Sequence, residues 1–311
     1  MSFSERSNFP KYLTFVPAGP NADPEFIGDT IDSVLFALGP EANIVVGDDS
    51  GTSKFMCLAG RGPNVFVRSV PIVPGLETGH STSGSLFVKK AQTYKLLVQE
   101  FDFDRLLNLD DDALMLNSKV IDVAESLFDR RKDAGVLGRY VLNHEFQPVS
   151  FETQLEQMRT QISRNPFRNP KFVNPLRQPA IRTVLRPLML RAIENGYTMG
   201  TAFIGGSCLF TRECLQRIVN LGEINNPIFQ YSPSGEDDMF TICCFACGFR
   251  VYDLLHDPPI FHVAWRKLTM SPQELHDMGA SVIHSVRDPA HGGEAKIREF
   301  FREKRSGSQH V

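Results

Sequence analysis

Two short acidic runs stand out, because carboxylates crowded together repel one another and persist only where something compensates them. Asp110-Asp111-Asp112 follows the run Asp104 to Leu109 and precedes Ala113-Leu114-Met115-Leu116, so the triplet is pinned to the edge of a core. Hard carboxylate oxygens in that setting suit Mg²⁺ or Mn²⁺, which bridge to substrate phosphates; the plain alternative is a solvated turn. The second run, Gly235-Glu236-Asp237-Asp238, opens an apolar segment ending in Gly248-Phe249-Arg250-Val251-Tyr252. Acidic groups are favoured at a helix N-terminus, so capping is the plain alternative there. With an acidic group at the end of each of two elements, one site can bind a metal while the other abstracts a proton.

The intervening segments predict how these runs are held. Tyr12-Leu13-Thr14-Phe15-Val16 reads as a strand feeding the loop Pro17-Ala18-Gly19-Pro20. Asp23 and Pro24 form an N-cap and first helical residue, and Ile27, Ile31, Val34, Leu35 and Leu38 recur at helical spacing up to Gly39-Pro40. Asn43 to Gly47 is a second strand, ending in Asp48-Asp49-Ser50-Gly51-Thr52. This is a β-α-β unit with acidic residues where open α/β sheets bind ligands. Short strands are expected at Val65–Val67 and Pro71–Val73, helices at Ser85–Gln99 and Val120–Arg131, and a strand at Gly135–Tyr140. Such alternation predicts an α/β fold with a mainly parallel sheet and helices on both faces. From Gln157 to Ile193 there is no acidic residue, eight basic side chains run from Arg159 to Arg191, and prolines predict broken helices and loops. The tail from about Ser271 reads as helical, with Arg305-Ser306-Gly307-Ser308 as a disordered end.

In this order the motifs resemble the family-2 glycosyltransferases of GT-A fold, over roughly residues 12 to 265. Ile44 to Thr52 looks like the family's "IVVDDGST" strand end, and Leu107 to Asp112 like its "FLDxDD" strand and DxD motif. Gly205 to Glu213 is similar to "GxxxLxRRE", and Glu236 to Val251 to "EDxDLxxRxxxxGYRV", with His262 where the family often places a histidine. The sequence departs from the pattern at Gly47, at the reversed Ser50-Gly51, at Met239 and at Cys243. The resemblance implies an inverting, metal-dependent hexosyl or related transfer from a nucleotide-sugar donor, most commonly a uridine diphosphate sugar, to a glycan, lipid-linked or small-molecule acceptor. It places Pro17, Ala18, and Asp48 or Asp49 at the nucleotide, Asp110 or Asp111 at the ribose, and Lys89 and Lys90 near phosphate. Asp112 and His262, or His284 in place of His262, would hold Mn²⁺ or Mg²⁺, Asp237 beside Glu236 would be the general base, and Gly206, Ser207 and Trp265 would border the sugars. His284 with Arg287 is placed to close over the diphosphate, and His256 is structural. The implied organisation is a GT-A domain over 10–268, with a nucleotide half (10–145), a basic insertion (150–197) and an acceptor half (198–268), followed by a helical tail over 269–311.

Bulk properties narrow the alternatives. With 42% hydrophobic residues in 311, a large core is affordable, and a net charge of -3 gives no general sign of nucleic-acid binding. The polar start, Met1 to Arg6, has no secretory h-region, and no run of about 18 apolar residues predicts a membrane span. A cytoplasmic protein is therefore expected, with reduced cysteines; the Cys244–Cys247 spacing lies in an apolar helix and has no second pair. The basic 157–193 stretch reads as a packed or solvated face, an anionic acceptor site, or a peripheral membrane contact. A sugar-1-phosphate nucleotidyltransferase would need a glycine-rich loop with Arg and Lys near the first strand, which Pro17 to Asn21 does not supply. The non-catalytic alternative is a degenerate nucleotide- or glycan-binding module of the same fold.

Overall fold

The computed structural model describes residues 10–71, 73, 75–76 and 83–307. Its centre is a seven-stranded sheet in the order β3-β2-β1-β4-β7-β6-β8. The strands are β1 (Tyr12–Ala18), β2 (Asn43–Asp48), β3 (Val65–Ser69), β4 (Arg105–Leu109), β6 (Ala134–Gly138), β7 (Ser207–Thr211) and β8 (Arg250–Asp253). All the pairings are parallel except those of β7, which runs against β4 and β6. The predicted α/β architecture, with a mostly parallel sheet and flanking helices, is the one observed.

Alternation along buried strands divides the core into two layers. Leu13, Phe15 and Val45 face a layer built with α2 (Ser83–Glu100), α5 (Gln178–Glu194), α6 (Arg212–Asn220) and α7 (Glu236–Ala246). Tyr12, Val16, Ile44 and Val46 face α1 (Pro24–Leu38) and α3 (Lys119–Arg130) on the other side. Helix α1 starts as expected: the Asp23 carboxylate accepts the Glu25 N–H at 2.8 Å and Pro24 takes the first helical position. Between β6 and β7 lie α4 (Glu152–Ile162), an irregular loop, and α5, which carries Pro187 inside it. The cysteines are free thiols, and four of the six are buried. No helix among the described residues is long and apolar enough to cross a membrane. The expected strand at Pro71–Val73 falls partly outside the described residues, and Pro71 and Val73 are not in a strand.

Beyond Ser271 the chain is helical at both ends, as expected, but adds a strand between the helices. Helix α8 (Pro272–Asp277) is followed by a strand, β10 (Val282–His284), which lies between β5 (Ala113–Met115) and β9 (Phe261–Val263) in a second, three-stranded sheet. The antiparallel register pairs His284 with Ala113, directly after the acidic triplet. Helix α9 (Gly293–Gly307) then packs on α1. Arg305, read as part of a disordered end, is buried there and bonded to Asp29, while Ser308 lies outside the described residues.

Candidate active site

Strand β4 delivers the triplet into a tight turn: the Ala113 N–H donates to the Asp110 carbonyl, and the Asp110 N–H to the carbonyl of Gly206, each at 3.0 Å. The three carboxylates then take different nearest partners, with Arg287 also 3.7 Å from Asp112. Asp110 takes Lys90 Nζ at 3.3 Å and Asn108 Nδ2 at 3.2 Å. Asp111 takes Arg287 at 2.7 Å. Asp112 Oδ1 lies 3.0 Å from His284 Nε2, and its Oδ2 accepts the Ser285 hydroxyl. Burial alone would raise the Asp112 carboxyl, yet the hydrogen bond and charge of His284, with Arg287 and Ser285, hold it well below the usual carboxylate range. Burial raises Asp111, with Arg287 opposing.

Lys90 joins the two acidic runs. Its side chain is only 4% exposed, and Nζ lies 3.2 Å from Glu236 as well as 3.3 Å from Asp110. Burial disfavours an ammonium, but the two carboxylates more than offset this and keep Lys90 charged. Aromatic packing sets the distance: Phe87 and Tyr94 of α2 each meet Phe240 of α7 with ring centroids 5.0 Å apart.

Asp237 stands one residue further along α7. Its Oδ1 is sealed from solvent without a hydrogen-bond partner. Burial, and then the charge of Glu236, push its carboxyl well above the usual range; Lys90 and the nearby Gly205 amide temper the rise without giving Oδ1 a well-formed bond. The turn before β7 touches both halves of the site. A Cβ on Gly205 would collide with Asp237 Oδ1, and one on Gly206 with the ring of His284. Consecutive glycines therefore separate the unpaired carboxylate from the Asp112–His284 pair.

The remaining predicted residues divide. Asp48 is only 3% exposed and serves its own loop, accepting the N–H groups of Ser50 (2.9 Å) and Phe55 (3.4 Å). Asp49 is half-buried and paired with Lys89 at 2.6 Å, beside the C-terminal ends of β1 and β2 where Pro17 and Ala18 lie. Ser207 is fully buried and donates to the Asn108 carbonyl at 3.2 Å, so of Gly206 and Ser207 only the glycine borders the site. Trp265 is 74% exposed with the Arg266 guanidinium over its ring, and it follows Ala264, whose carbonyl accepts from His284. His256 bonds the Pro258 carbonyl at 2.8 Å.

His262 is not brought to the triplet. Its ring nitrogens are engaged by Thr269 (2.8 Å) and the Pro259 carbonyl (3.1 Å), and burial lowers its pKa. It pairs in register with Ile283, whereas Val263 pairs with His284. Neighbouring strand residues point to opposite faces, so His262 is directed away from the face that carries His284. Sequence reasoning missed Ser285 and the fully buried Arg298, which donates to the Asp111 carbonyl at 2.6 Å and to Asp29 at 3.3 Å. A signal for Arg298 existed in Asp29, a carboxylate set between Ile27 and Ile31 on the buried face of α1, where it demands a cation.

A basic cleft at the opposite end of the sheet does not compete as a catalytic centre. Its Arg105 is paired with Glu125, its Arg217 with Glu213, and its Arg212 with the carbonyls of Val98, Phe101 and Phe103.

No protein-family model matches the sequence, and no curated protein matches it. Among solved structures, a mannosyltransferase from Pyrobaculum calidifontis in complex with GDP-Man and Mn²⁺ is 13% identical, over 79% of this chain and 55% of its own, with a TM-score of 0.41. Core-mannan synthase A from Aspergillus fumigatus, in an Mn/GDP form, is 10% identical over 81% of this chain and 75% of its own, at 0.45. Galactosyltransferase LgtC, with donor and acceptor sugar analogues, is 14% identical over 95% of each chain, at 0.46. The chain thus spans about half the length of the mannosyltransferase. These are likenesses of form; what the chain does is read from its own side chains.

Proposed function

We propose that the chain is a glycosyltransferase that moves a sugar from a nucleoside diphosphate donor to an acceptor hydroxyl with inversion, using Asp237 as general base. The observation that carries this reading is the Gly205-Gly206 turn, with an unpaired, raised carboxylate against one glycine and the Asp112–His284 pair against the next.

A divalent cation fits that pair on the chemistry of the donors. His284 Nδ1 lies 2.6 Å from the Ala264 carbonyl, which only accepts, so Nδ1 carries a proton. Nε2 then faces the Asp112 carboxylate and must either hold a second proton or share a cation with it. Fixing a ligating histidine through its other ring nitrogen is the usual way of orienting it. No group of three or more His, Cys, Asp or Glu arranged for a metal occurs among the described residues. Two protein ligands agree with Mg²⁺ or Mn²⁺ completed by donor phosphates and water. Such an ion, when bound, would neutralise charge on the departing diphosphate.

The chain's own groups supply the rest. Asp49 and Lys89, at the ends of β1 and β2, would meet the nucleotide, and Arg287 would turn from Asp111 to the diphosphate. Lys90 keeps Asp110 and Glu236 from repelling each other. As the acceptor oxygen bonds to the anomeric carbon, its proton passes to Asp237, the carbon–oxygen bond to the diphosphate breaks, and that bond's electron pair leaves with the diphosphate. A raised carboxyl accepts this proton more readily than an ordinary one. Trp265 offers a flat apolar face for a sugar ring at the rim.

Thermal shift with nucleoside diphosphates, with and without Mn²⁺ or Mg²⁺, tests the donor half, because ligands of the native state raise its stability. A shift that needs both metal and one diphosphate is expected, and uridine diphosphate is the first to try. Asp112→Asn should abolish that shift. Asp237→Asn should keep it and lower transfer by about 10²-fold or more. Equal loss of donor binding in both variants would overturn the division of roles.

A further inference from the structure

The loop between α4 and α5 repeats a four-residue pattern, Asn165-Pro166-Phe167-Arg168 and Asn174-Pro175-Leu176-Arg177. Both copies fold alike. The Asn165 and Asn174 carbonyls accept the N–H of Arg168 (3.2 Å) and Arg177 (2.9 Å). Their side-chain oxygens accept the N–H of Phe167 (3.0 Å) and Leu176 (2.9 Å). Proline in the second position pre-sets the backbone, and the asparagine bond locks the turn. Gln178, 1% exposed, fastens the base of the loop by donating to the carbonyls of Thr160, Gln161 and Ser163.

The result is unusual for large apolar side chains. Phe167 is 69% exposed and Leu176 is 88% exposed, each held out on a rigid turn rather than folded back. Their surroundings are sorted by charge, since residues 157–193 contain no carboxylate. Arg168 is occupied by Glu156, Arg191 by Glu223, and Arg177 lies over the Tyr231 ring. Arg164, Lys171, Arg182 and Arg186 make no ion pair among the described residues. Leu190 and Ile193, also exposed, extend the apolar surface along α5.

Unpaired cations beside rigid apolar tips match a partner that is anionic at its surface and apolar just beneath. We infer that this loop and the outer face of α5 dock on an anionic phospholipid surface. Phe167 and Leu176 enter the acyl boundary, and Arg164, Lys171, Arg182 and Arg186 meet the headgroups. A nucleic acid would engage the cations but would offer no layer for Leu176.

Co-sedimentation of the full chain with phosphatidylcholine vesicles, with and without phosphatidylserine, tests the inference. Binding only to the phosphatidylserine vesicles, weakened by salt, is expected. Arg164→Glu with Lys171→Glu should remove most of it, and Phe167→Ser with Leu176→Ser should weaken it by roughly tenfold or more. These side chains are exposed, so melting temperatures unchanged from the parent would separate lost docking from lost folding. No binding to phosphatidylserine vesicles overturns the inference. So does tighter binding to single-stranded RNA that is indifferent to the Phe167 and Leu176 changes.

Discussion

Lys90 shows at the scale of single residues how the site tolerates its own charge. One buried ammonium serves Asp110 and Glu236, so the acidic runs compensate through a shared cation rather than through solvent. Among the described residues Asp238 has no such partner. It accepts one N–H, from Gly235 at 3.2 Å, and burial pushes its carboxyl up to about 7. A carboxyl raised in the folded state contributes stability that is complete below its ordinary value of 3.8 and is lost as pH rises toward about 7. Asp238→Asn keeps an acceptor for Gly235 and removes the titration. Its melting temperature relative to the parent should therefore climb by several degrees from about pH 5 to about pH 8. A flat difference would mean that the side chain is already ionised without cost. The acidic runs were legible in the sequence because they are local. That Asp48 closes its own loop while Asp49 faces outward was not, because adjacent identical residues differ only in where the backbone turns them.

At the scale of elements, the turn entering β7 and helix α9 each impose a separable constraint. Gly205→Ala should displace Asp237, lowering transfer while leaving the metal-dependent nucleotide shift in place. Gly206→Ala should press on the His284 ring and weaken that shift. Kinetic and thermal measurements on the two variants would expose any failure of this separation. Arg298 is fully buried and ties α9 to Asp29, Thr30 and the Asp111 carbonyl. Arg298→Met leaves Asp29 with Arg305 but without its second buried cation, and the Asp111 carbonyl without its donor, a loss of about 2 kcal/mol in urea unfolding. Helix α1 was readable from apolar spacing, α7 from a continuous apolar run, and α2 and α3 were also expected as helices. Strand β10 was not: Val282-Ile283-His284 is too short to show a period, and it exists because β5 and β9 leave a place between them. With β10 unread, the choice between His262 and His284 could not be made, since it depends on which face each strand presents.

For the molecule as a whole, alternation of strands and helices was enough to foresee the sheet and its two layers, because buried parallel strands need nearly continuous apolar runs. The basic stretch resisted the same treatment. Its prolines suggested irregularity, yet α5 holds a regular course over 17 residues with Pro187 inside, anchored by the buried Ile181, Leu185, Leu188 and Met189. What the irregular part does with Phe167 and Leu176 came from the asparagine turns, a feature of side-chain geometry rather than of composition.

The bond from Arg298 to the Asp111 carbonyl spans 187 positions of the chain. The triplet and its strand leave the ribosome long before the residue that braces them, and β10, with His284, follows late as well. If the site holds a donor as proposed, a growing chain that has already formed its sheet should gain that ability only once α9 has been translated and has docked. Chains truncated before Gly293 lack this brace and should fold in part and give no metal-dependent nucleotide response.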